Sequence, residues 1–261
     1  MNKISSLWIS ISKGEKFTLP LGLSVTLLFC ALSGKAETTA IVAWGRTNDV
    51  FGNYAGVTEP PQGLTNVVSI SAGGDHSLAL LANGSVVGWG GNSHGQSTIL
   101  SGLSNVTALA AGFFHSVVLK TDGTVMAWGS NASGETNVPI GLTNVVAVSA
   151  NGCDCLPNGN KTLALKNDGT VVGWGATAVP FGLSNVVAIS AGGNHALALT
   201  GEGTIVGWGN NANGQSTMPA GLSNVVAIAA GGSHSLALRR DGTITVWGNN
   251  AYGQWRDGRA D

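Results

Sequence analysis

The chain has 261 residues, a formal net charge of −1, 10% charged residues, 43% hydrophobic residues and 40 glycines. The 12 basic residues are too few and too scattered for a nucleic-acid footprint. Abundant Gly with little charge suits short strands and tight turns, and excludes a helical bundle or a disordered chain.

The first element is a leader. Lys3, Lys13 and Lys16 precede an apolar stretch from Leu19 to Ser33, and Gly34-Lys35-Ala36 supplies small residues where a signal peptidase cuts. The pattern over 1–36 reads as a secretory signal peptide. Its apolar run is about 15 residues, short of the roughly 20 a spanning helix needs. An uncleaved anchor is the weaker alternative. Without the leader the chain carries a net charge of −4. It is expected to be secreted, periplasmic or cell-surface, with no membrane segment left after cleavage.

Residues 37–261 read as one repeat domain. A partial unit (40–62) comes first, in which Ile41-Val42-Ala43-Trp44 looks like a third strand lacking its first two. Whole units follow at 63–101, 102–140, 141–181, 182–220 and 221–255, each opened by Gly-Leu-(Ser/Thr)-Asn-Val. Self-similarity at this period marks a repeat architecture. Within the first unit, the β-branched run Asn66–Ala72 predicts one strand and His76–Leu81 a second. Asn83-Gly84 predicts a type I′ hairpin turn, Ser85–Trp89 a third strand, and Ser97-Thr98-Ile99 a short outer fourth. No stretch has helical apolar spacing.

Four short antiparallel strands repeated radially predict an all-β fold, a β-propeller of about six four-stranded blades. A solenoid of stacked hairpins is the alternative. Trp44, Trp89, Trp128, Trp174, Trp208 and Trp247 recur once per unit. A ring of that size wedged between sheets favours the propeller. His76, His115, His195 and His234 share one repeat position, held by Lys161 in the third unit. Their recurrence reads as a structural imidazole rather than a metal site, and Asp122, Asp168 and Asp241 beside Gly read as turn residues. No nucleophile elbow and no phosphate-cradling Gly loop occurs, so neither a catalytic set nor a cofactor is expected.

The phrases Ala72-Gly73-Gly74-Asp75-His76-Ser77-Leu78-Ala79-Leu80, Gly231–Leu238 and Gly242–Asn250 resemble the regulator of chromosome condensation repeat. The resemblance covers residues 40–255 and implies a propeller, commonly seven-bladed in that family. The short period and leader are most similar to bacterial members such as the secreted propeller-type β-lactamase inhibitor, which binds a protein through its blade loops. Exchange activity on a small GTPase is not carried over, because the β-wedge insertion that performs it has no counterpart here. Seven units of 39 residues would need about 273, against 225 from residue 37 on. A thin six-bladed closure, an open arc and a ring short of its last blade all stay open.

Departures from the repeat are the candidate site. In an antiparallel blade, the loops after first and third strands share one face. The loop with Phe51 and Tyr54, Asp75, His94, Phe113-Phe114, the insertion Cys153–Asn160, the deletion after Trp174, and Tyr252 with Trp255 all map there. Cys153 and Cys155 are a candidate disulfide whose one-residue spacing makes the ring small. The aromatics predict a loop face that binds an unidentified protein. The alternatives are a loop-face enzyme or carbohydrate binder, which would draw on Asp75, Glu135 and Asp154, and a structural or fragmentary repeat with no specific ligand.

Overall fold

The computed structural model describes residues 41, 43, 56–151, 159–251 and 253. They form five antiparallel sheets, each of three sequential strands, and no helix. Sheet one is β1 (Val67–Ala72), β2 (His76–Leu81) and β3 (Val86–Gly90). Sheet two is β4 (Val106–Ala111), β5 (His115–Lys120) and β6 (Val125–Gly129). Sheet three is β7 (Val145–Asn151), β8 (Lys161–Lys166) and β9 (Val171–Gly175). Sheet four is β10 (Val186–Ala191), β11 (His195–Thr200) and β12 (Ile205–Gly209). Sheet five is β13 (Val225–Ala230), β14 (His234–Arg239) and β15 (Ile244–Gly248).

The opening phrase explains the entry to each sheet. Its Asn takes a left-handed backbone at Asn66, Asn105, Asn144, Asn185 and Asn224, with φ between 55° and 59°. Asn tolerates this conformation better than other non-Gly residues. A register shift follows at once in each first strand, as between Val67 and Ser69. The bulge leaves Val68, Val146, Val187 and Val226 exposed.

The hairpins differ from the type I′ expectation. Gly84 has φ 79°, whereas Asn83 keeps an ordinary φ. The Gly84 N–H donates to Leu81 O and the Leu81 N–H to Ser85 O, both at 2.9 Å. This is a type I turn closed by a Gly bulge. The turn side chain selects it: Asn83 Oδ1 accepts from the Ser85 N–H and hydroxyl, and Asp122, Asp168 and Asp241 do the same to Thr124, Thr170 and Thr243.

The fourth strand is also corrected. Ser97 to Ile99 lie outside the ladder. Their backbone instead lies against β3, where a Cβ on Gly88 would come 2.5 Å from Ser97 O. Ile99, Leu100 and Leu103 then plug the gap between sheets one and two. Apolar side chains do so in the later gaps, among them Val138 with Leu142, Val179 with Leu183, and Met218 with Leu222.

Strand alternation gives each sheet two faces. Sheet one's trailing face carries Leu78, Leu80 and Val86. It packs on the leading face of sheet two, with Val106, Ala111, Val118 and Trp128. Three more such cores join sheets two to three, three to four and four to five. This is a propeller's blade packing, as the sequence predicts. No hydrophobic cluster joins sheets one and five among the described residues, so the arc they form is open. Ile41 of the partial unit packs with Val67, Ala79 and Trp89 on sheet one's leading face. The leader and Trp44 lie outside the described residues.

Candidate functional site

Between the sheets runs a polar relay that is built from the repeat itself. Ser116 Oγ donates to the Gln96 backbone carbonyl at 2.7 Å, so it can accept from His76 Nε2 at 2.8 Å. The same arrangement links His115 to Thr162 and His195 to Ser235, with Thr162 donating to Glu135 O and Ser235 to Gln215 O. Each ring therefore carries its proton on Nε2. Burial pushes the imidazole pKa down to about 3 for His76 and His195 and about 4 for His115, so all three are neutral. The indole of the next sheet reaches the same carbonyls: Trp128 Nε1–H donates to Gln96 O, Trp174 to Glu135 O and Trp247 to Gln215 O, at 2.8–3.1 Å. Trp89 donates to Val57 O.

One junction breaks the relay at both partners at once. Lys161 replaces the imidazole, and Ala196 replaces the hydroxyl across the interface. The ammonium crosses the gap instead, donating to Gly192 O at 3.0 Å and Gly193 O at 2.6 Å, and to Gly159 O. Its burial lowers the pKa to about 8. The loop after β9 is shortened there, and Trp208 donates to Thr177 Oγ1 in place of a Gln carbonyl.

The loop rim is where the sequence placed its candidates. His94, in the loop after β3, is exposed, and its ring lies 4.8 Å from the half-buried Phe114, which precedes β5. The two come from neighbouring units, so the rim brings them together as the strand order requires. Phe113 does not join them at the surface. It is 9% exposed and lies against Gly74, where an added Cβ would come 2.8 Å from its ring. It meets Phe114 edge-on at 4.6 Å. Phe113 is thus inter-sheet filling, a correction to its place among the partner-binding candidates.

Asp75 needs the same correction. At 1% exposed it accepts from Gln96 Nε2 and presents no surface to a partner. Glu135 is fully buried and accepts from the Ser133 N–H and Asn160 Nδ2. Burial alone would raise its pKa, but the hydrogen bonds prevail and hold the carboxyl below its usual range. Both carboxylates are occupied in pinning loops. Phe51, Tyr54, Cys153, Asp154, Cys155, Tyr252 and Trp255 lie outside the described residues. No group of three metal-ligating side chains occurs among the described residues.

Two residues escaped the sequence reading. Ile140 and Phe181 are fully exposed, at 105% and 108%. Both immediately precede the Gly that opens a unit, at the rim opposite to the loops. Beside Ile140, Pro139, Leu142, Lys166 and Val172 line a shallow recess of about 230 Å³. The signal was available: other units place Gln62, Ser101 and Ala220 at that position, so a large apolar residue there is a departure. Departures are therefore not confined to one face.

The pattern of the Regulator of chromosome condensation (RCC1) repeat matches residues 67–96, 106–135, 186–215 and 225–254. The unit that it leaves out, the third, contains Lys161 and the loop insertion. The structure is similar to Prp20p from Saccharomyces cerevisiae, with 26% identity and a TM-score of 0.57 over 72% of this chain and 58% of that one. It is also similar to the ectodomain of the receptor kinase CR4 from Physcomitrella patens, with 20% identity and a TM-score of 0.66 over 95% of this chain and 64% of that one. The ectodomain of ACR4 from Arabidopsis thaliana gives 20% identity and a TM-score of 0.59, over 80% and 73%. The chain spans less than two thirds of Prp20p and of the CR4 ectodomain. No curated protein matches it. With four sheets matching one motif and the arc superposing on these propellers, the chain is a β-propeller arc that carries four Regulator of chromosome condensation (RCC1) repeats.

Proposed function

We propose that the chain is a non-catalytic scaffold that binds another protein through the rim of a propeller arc. The observation that carries this is the His94–Phe114 pair, in which two units contribute rings in tilted contact to the loop rim above a relay that holds both sheets. Aromatic side chains on a fixed support lose little entropy on binding and are typical interface anchors. Prp20p, whose structure was described with its binding to Gsp1p and histones, supports the class of function but not those partners. The chain's leader supports export before binding. Mass spectrometry of the exported protein should then find an N-terminus near residue 37.

The test is affinity capture from the culture supernatant with the wild type and two variants. His94→Ala with Phe114→Ala should lose the captured protein, at least tenfold in apparent affinity. Ile140→Ser with Phe181→Ser reports on the opposite rim. Capture that survives the first pair of substitutions overturns the assignment to the loop rim.

A further inference from the structure

The rim of the hairpin turns carries two apolar side chains that the fold does not use. Ile140 and Phe181 flank unit three, fully exposed, at a position that is small or polar in the other units. Neither belongs to an inter-sheet core. Exposed apolar surface framed by charge marks an interaction site. Around the turns of sheets two to five stand four basic and four acidic side chains, so two such rims can meet without net repulsion.

The recess beside Ile140 says what covers them. Pro139, Leu142 and Val172 give it an apolar lining, and its volume is about 230 Å³. An apolar cavity of about 150 Å³ holds benzene, so this recess has room for a phenyl ring. Phe181 offers that ring on the same rim, one unit further on. The charges are complementary as well. Lys166 lines the recess, while Glu202 accepts from Asn185 Nδ2 on the link that follows Phe181. The knob thus lies near a carboxylate and the recess beside an ammonium. Lys166 meets Asp168 at 3.1 Å, but both are solvated, and such a pair is weak enough to share its ammonium with a second carboxylate.

We infer that two copies pair rim to rim about a two-fold axis that passes between Ile140 and Phe181. Phe181 of each copy seats in the recess beside Ile140 of the other, with Glu202 set toward Lys166. One patch supplies both knob and recess, so the contact is isologous and closes at two copies. It is small beside a standard specific interface, and the pair is correspondingly weak. Both loop rims then face outward, with His94 and Phe114 of each copy open to a partner.

Sedimentation equilibrium of the whole protein at ~200 µM, where mass action favours a weak pair, should approach the mass of two copies. Phe181→Ser should sediment as a monomer and keep the wild-type urea midpoint in dilute solution, since its side chain supports nothing in the fold. Lys166→Glu should raise the dissociation constant at least tenfold, and adding Glu202→Lys should restore it. A wild type that stays monomeric overturns the inference, as does a Phe181→Ser variant that still pairs. A species larger than two copies also overturns it, because an isologous contact closes. A charge exchange that restores nothing overturns the two-fold arrangement.

Discussion

The buried imidazoles set how the fold answers to acid. His76, His115 and His195 are neutral in the sheets, with pKa values held at about 3 to 4 by burial. An imidazole in the unfolded chain titrates near 6.5. The stability they carry is complete above pH 6.5 and drains as pH falls toward 4, because the unfolded chain takes up protons that the native sheets refuse. Each should contribute a slope of up to about 1.4 kcal/mol per pH unit. The turn carboxylates act lower: a hydrogen bond from Thr170 holds Asp168 at about 2, so its contribution is lost only on acidification through that region. Urea midpoints should therefore fall steadily between pH 6.5 and 4.5. A flat profile there would contradict neutral donors.

At the scale of the strand pair, Lys161 and Ala196 behave as one feature. Lys161→His should destabilise the chain by about 1–3 kcal/mol, since its ring would face a methyl group with no acceptor. Ala196→Ser alone should cost less. The double variant should regain much of the loss, with a coupling of at least about 1 kcal/mol in urea denaturation. Additive effects would mean that the two positions are independent. The sequence shows the substitution at Lys161 plainly, because it interrupts four histidines. The partner is invisible there, since Ala196 is an ordinary strand residue 35 positions away. Only the stacking of β8 against β10 and β11 pairs them. The turn type was misread for a local reason: Asn-Gly encodes two turns, and the Asx hydrogen bond to Ser85 decides between them. The outer strand failed because Gly88 leaves room for a backbone to lie on the sheet rather than beside it.

For the molecule as a whole, stability should grade along the arc, as in other arrays held by nearest-neighbour contacts. Among the described residues, hydrophobic clusters pack both faces of sheet three and one face of sheet five. In dilute solution, amide hydrogens of β14 and β15 should exchange about tenfold faster than those of β8 and β9. Equal protection would indicate that the arc opens only as a unit. The all-β repeat and its blade order were legible from the sequence because one phrase recurs five times. The burial of Asp75 and Phe113 was not. Strand order tells which rim a residue occupies, but whether it points outward depends on Gly74 and Gln96 of another segment.

The matched pair at one junction also constrains how such a gene can grow. Cassettes one, two and five present interchangeable couplings, each with a His on one side and a Ser on the other, so unequal crossing-over among them yields daughters whose joints still mate. Between the third and fourth cassettes the coupling is keyed differently on both sides. A copy inserted there would strand an ammonium against a hydroxyl and a methyl against an imidazole. Duplications in this lineage are expected to carry the third and fourth cassettes together.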